Sequence, residues 1–154
     1  MHVTAKDIAR QAIIAALYAV ITISLAPISY GMIQFRLAEM LVVLPFLNKK
    51  HIIGVTLGCL VANIPSLLGP VDIVVGTLAT FIVCVIVSKL PAAKFIPLVA
   101  AAVNGVIIGL MLYLVLGYPL LPAMGAVAFG VFVVTAVGSA AITLARNQLA
   151  FLRE

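Results

Sequence analysis

Apolar runs, each close to the length of a membrane helix, follow one another along the chain, with Lys and Arg in ones and twos between them. About 20 apolar residues in a helix cross the roughly 30 Å hydrocarbon core of a bilayer. Successive runs of this kind imply a helical membrane protein, because in lipid every backbone polar group must be satisfied internally. Residues that are 66% hydrophobic and only 8% charged cannot cover a water-soluble globule. The 154 residues suit one compact domain of about six spans. The expected fold is therefore all-α, a six-transmembrane-helix bundle occupying residues 1–154 as a single integral membrane domain. The formal net charge of +5 does not imply nucleic acid, since the basic residues are dispersed and membrane topology accounts for them.

Lys6 and Arg10 precede an apolar run ending in Ser24 and Ala26, a pattern also seen in secretory signals. Pro27 at the would-be junction, and the apolar character that continues beyond it, favour a retained first membrane helix. That helix is expected over roughly Asp7–Ala26, stopping at Pro27. Ala12 and Ala16, and also Ala15 and Ala19, stand four apart and form small-residue faces; ordinary packing within the bundle is the simplest reading from spacing alone. Further helices are expected near Arg36–Leu47, Ile52–Ile64, Pro70–Leu90, Phe95–Leu116, and from Pro122 to before Arg146. Gly54, Gly58 and Ala62, spaced by four, suggest a close helix contact. The second helix is about 18 Å long, too short to cross upright, so Ser29 to Phe35 must cover part of the depth beside protein or a wet cavity.

With six spans, Lys6, Arg10, Lys49, Lys50, Lys89, Lys94, Arg146 and Arg153 fall on one side. The positive-inside rule makes that side the cytoplasm and places both termini there. Arg36 alone falls outside. It is three residues from Glu39, so on a helix the two share a face and can pair or jointly meet a ligand. An ionised group among membrane helices is a functional-site hypothesis by default; a water-exposed ion pair is the bland alternative. Gln34, Asn63 and Asp72 fall at similar expected depth, which favours a substrate site. Asp72 also lies in the first turn of its helix, where the macrodipole alone would favour an acid. Asn104, near mid-membrane, needs a partner from a neighbouring helix or a ligand. His51 reads as a solvated loop residue, and Cys59 and Cys84 as small apolar core residues without metal-ligand or disulfide spacing. Phosphate loops, HExxH spacing and nucleophile–base arrangements are missing from the sequence, so neither an enzyme, a metal site nor a cofactor is expected, and ATP-driven transport would need partner subunits. A stand-alone small secondary transporter or a ligand-free membrane scaffold are the competing readings.

Ala-Pro-Ile-Ser-Tyr-Gly at 26–31, Ile-Gln-Phe-Arg-Leu-Ala-Glu at 33–39, Gly-Cys-Leu-Val-Ala-Asn at 58–63 and Asp-Ile-Val-Val-Gly-Thr-Leu-Ala-Thr at 72–80 resemble the QueT family. The resemblance implies the substrate-binding S component of an energy-coupling factor (ECF) transporter in the bacterial plasma membrane, working with a transmembrane T component and two cytoplasmic ATPases. It implies a queuosine precursor, 7-aminomethyl- or 7-cyano-7-deazaguanine, as the substrate, with another vitamin- or purine-like solute as the alternative. Gln34, Arg36, Glu39, Asn63, Asp72 and Asn104 are the substrate-binding residues so implied, with Glu39 and Asp72 dividing the ligand's donors and cation. Ala12 and Ala16, or Ala15 and Ala19, resemble an AxxxA docking surface for the T component. The family also implies acids in the last two helices, where this chain has Met111 and Val131.

Overall fold

The computed structural model describes residues 4–29, 35–66 and 68–145. Thr4 starts the first helix, α1 (Ala5–Ser24), with a reciprocal cap: its hydroxyl accepts from the Asp7 amide at 3.2 Å, and the Asp7 carboxylate accepts from the Thr4 amide at 3.1 Å. Both carboxylate oxygens of Asp7 also take the Lys50 ammonium at 3.0 Å, tying the start of α1 to the turn at residues 48–50. A separate helical turn, Ala26–Ser29, follows α1, and Pro27 lies in it rather than beyond the helix end. Near the start of a helical segment the missing N–H of proline removes no intrahelical bond.

The next helix, α2 (Leu37–Leu47), is wound in two ways. Leu37–Val43 is a 3-10 helix and Leu44–Leu47 is α-helical. At about 2.0 Å per residue for the first part and 1.5 Å for the second, α2 is about 20 Å long. It remains short, as expected, although residues 30–34 of the stretch expected to complete its depth lie outside the described residues. α3 (His51–Asn63) is also short, whereas α4 (Pro70–Val87), α5 (Ile96–Leu116) and α6 (Leu120–Leu144) are long. α1, α4, α5 (with the turn before it) and α6 are long and apolar enough to cross a membrane; α2 and α3 are shorter apolar helices. The described residues contain no strand. Leu121 and Leu144, 78% and 87% exposed, are typical of the outward faces of these helices, the surface that lipid covers.

Small residues set which helices meet. α1 lies against α3, where a Cβ on Gly58 would come within 2.9 Å of the Ala15 carbonyl and 2.6 Å of Tyr18 Cβ. The same requirement holds between α5 and α6, where Gly109 faces the Met124 backbone. The close contact expected from Gly54 and Gly58 is thus present, and its partner is α1. α2 touches α1, α3, α4 and α6, so its backbone lies inside the bundle. At the opposite extreme from the expected solvated loop, His51 is 1% exposed: it opens α3, and its Nδ1 lies 3.2 Å from Gln11 Nε2 across the α1–α3 contact. The close approach of those two helices, invisible to a reading of the basic turn alone, buries it.

Candidate functional site

Three residues per turn in the 3-10 part of α2 bring positions i and i+3 into register, so Arg36, Glu39 and Val42 stack along one side. All three are buried. The shared face expected of Arg36 and Glu39 is therefore present, turned into the bundle.

Glu39 is held through one oxygen. Its Oε1 accepts from the Tyr18 hydroxyl at 2.6 Å and lies 3.5 Å from Thr80 Oγ1; Oε2 is buried and has no hydrogen-bond partner among the described residues. Arg36 extends towards α3 and α4: Nη1 lies 3.7 Å from Cys59 Sγ and Nη2 3.9 Å from Asp72 Oδ2. Asp72 Oδ2 also accepts from the Ser66 hydroxyl at 2.6 Å. Asp72 is therefore both a first-turn residue of α4 and a member of the charged cluster. Asn63, at the end of α3, donates through Nδ2 to the Asp72 backbone carbonyl at 3.0 Å. Among the described residues, the buried Asp72 Oδ1 and Asn63 Oδ1, like Glu39 Oε2, have no donor.

Cys59 is a wholly buried core residue, as expected, and it also has polar neighbours. Its sulfur lies 3.4 Å from Asn63 Nδ2 and 3.2 Å from Thr80 Oγ1, besides its contact with Arg36. Gly76 provides the space between these groups, since a Cβ there would lie 2.8 Å from both Asn63 Nδ2 and Asp72 Oδ1. Beside the cluster is a narrow cavity lined by Arg36, Glu39, Gly76 and Thr80 on one side and by Asn104, Ile108, Val127 and Val131 on the other. The room it offers a freely placed body is about that of one water. Anything larger must push the walls apart.

The structure thus gathers Arg36, Glu39, Asn63 and Asp72 into one cluster and sets Asn104 across the cavity; Gln34 lies outside the described residues. The Asn104 amide donates to the Ala100 carbonyl of its own helix at 3.1 Å. Of the two places where the resemblance implies acids, Val131 is on the cavity wall, and Met111 lies elsewhere, beside an outer groove between α4 and α5. Tyr18, Thr80 and Ser66 escaped the sequence reading. Spacing held a signal for one of them: Asp72, Gly76 and Thr80 recur every four residues and so share a face of α4. Tyr18 carried another, because a hydroxyl deep in an apolar helix needs a partner. The two alanine pairs also separate. Ala12 and Ala16 are exposed, while Ala15 packs on Gly58 and Ala19 is buried.

The described residues form an all-helical, multi-pass membrane protein with a buried charged cluster beside a narrow cavity, and charges in that setting mark a candidate functional site by default. A model of the QueT transporter family matches residues 8–147, and the chain belongs to that family. The queuosine precursor transporter QueT of Lactococcus lactis subsp. cremoris (strain MG1363) is 50% identical over 78 residues, which cover 49% of this chain and 46% of the relative. The match thus spans about half the length of that protein. No solved structure matches the chain significantly.

Proposed function

We propose that this chain is the substrate-binding S component of an ECF-type importer and captures a queuosine precursor, 7-aminomethyl- or 7-cyano-7-deazaguanine, from outside the cell. The observation that carries this reading is the set of buried acceptors, Glu39 Oε2, Asp72 Oδ1 and Asn63 Oδ1, that lack donors among the described residues and gather around Arg36. A deazaguanine supplies N–H donors to such oxygens, and leaving them unsatisfied in an apolar interior is costly. Family membership and the Lactococcus relative's name point to the same ligand class. In this reading α2 and α3 complete six spans, both termini are cytoplasmic, and the protein resides in the bacterial plasma membrane. A T component and two ATPases supply the energy.

Calorimetric titration of the purified, detergent-solubilised protein with 7-aminomethyl-7-deazaguanine, with guanine and thiamine for comparison, tests the substrate. Saturable one-to-one binding is expected, weakened at least tenfold by Glu39→Gln, since a hydrogen bond to a charged group contributes about 1.5–3 kcal/mol. A folded protein that binds none of the deazaguanines loses this substrate assignment. Val131 on the cavity wall, where the resemblance implies an acid, favours a second reading in which a neutral purine-like solute is the cargo.

In the same proposal, Ala12 and Ala16 form the face that meets the T component, because both are exposed whereas Ala19 is buried and the Ala15 backbone packs on Gly58. Ala16→Leu is expected to abolish co-purification of the T component and ATPases while ligand binding by the isolated subunit stays within about twofold, surface substitutions usually being worth under 0.5 kcal/mol. Undiminished co-purification rejects that face. Solute uptake by the chain reconstituted alone in liposomes would instead identify a stand-alone transporter.

A further inference from the structure

Tyr18 is wholly buried, and its hydroxyl makes the shorter of the two hydrogen bonds to Glu39, 2.6 Å against 3.5 Å from Thr80. Its position is set from the backbone outward. Tyr18 Cβ lies where α1 and α3 approach at Gly58, and the Thr22 hydroxyl donates to the Tyr18 carbonyl at 2.9 Å. A carboxylate oxygen has two lone pairs, and on Glu39 Oε1 the Tyr18 and Thr80 hydroxyls take both, which leaves Oε2 for a ligand.

We propose that Tyr18 is a positioning residue: by filling Oε1 together with Thr80 it makes Glu39 a one-oxygen acceptor for a single cationic donor of the ligand, not for the two-donor edge of its ring. Two-donor recognition uses both oxygens of a carboxylate in parallel. Among the described residues, Oε2 of Glu39 has no hydrogen-bond partner. Charge points the same way. The cluster holds two carboxyls, Glu39 and Asp72, beside the one cation Arg36, and a charge buried in a membrane bundle is stabilised by an opposite partner. The inference rests on the queuosine-precursor reading, and within it selects the aminomethyl compound, an ammonium at neutral pH, over the neutral cyano compound.

The test is titration of the full chain, wild type and Tyr18→Phe, with both compounds. Phenylalanine keeps the ring and removes only the hydroxyl. The wild type is expected to favour the aminomethyl compound at least tenfold; Tyr18→Phe is expected to lower that affinity about tenfold and change affinity for the cyano compound less than about twofold. A merely structural tyrosine would weaken both ligands alike. That outcome, or equal wild-type affinity for the two, overturns the proposal and leaves the precursor assignment standing; binding of neither by folded protein overturns both. Should Tyr18→Phe fail to fold, Glu39→Gln serves in its place: selective loss of the aminomethyl compound supports the assignment of Glu39, and an unchanged affinity ratio overturns it.

Discussion

Arg36→Leu is expected to lower the stability of the folded protein by about 3–5 kcal/mol, the range for removing one partner from a buried charged network. Glu39 and Asp72 are 3% and 1% exposed, too deep for water to replace the guanidinium. Most of the loss should come from those two carboxyls being left without their cation, not from the leucine. The triple variant Arg36→Leu/Glu39→Gln/Asp72→Asn should therefore recover a large part of it, because replacing every member of a buried ionic network is far less costly than removing one. Thermal unfolding in detergent, followed by circular dichroism, reads both variants. A single variant that melts with the wild type would mean that the cluster is wetted and its charges are weakly coupled.

The second large effect is expected at Gly109→Val, with a loss of about 3 kcal/mol or more, at the upper end for overpacking. An added Cβ would meet the Met124 backbone, 2.6 Å from Cα and 2.9 Å from N, so no side-chain rotation can relieve the clash. α5 and α6 would have to move apart along a contact that also includes Gly105 and Ala128. Gly125 provides the comparison on the same helix pair. A Cβ there meets nothing within 4 Å, so Gly125→Ala should be neutral or stabilising by up to about 1 kcal/mol through helix propensity. Similar melting temperatures for Gly109→Val and Gly125→Ala would remove the tight α5–α6 contact from the account.

Apolar run length, proline positions and the lone Arg36–Glu39 pair made the helical membrane class legible in the sequence, together with five of the clustered or cavity-lining polar residues, Arg36, Glu39, Asn63, Asp72 and Asn104. These features depend on local chemistry: a backbone in lipid must close its own hydrogen bonds, and a charge in that setting stands out whatever surrounds it. Helix ends were readable to within a few residues because caps and prolines act locally, as Pro70 does at the start of α4. What only the tertiary structure decided depends on which faces meet. The α1–α3 contact buries His51 and occupies Ala15, leaving Ala12 and Ala16 outward. The same arrangement brings Tyr18 to Glu39 across 21 positions of sequence, and the packing of α3 on α4 makes the buried Cys59 a neighbour of Arg36, Asn63 and Thr80. Spacing marks a face where small or polar residues recur but not the helix that the face meets; the shapes that interlock decide that, and those exist only once the helices are packed.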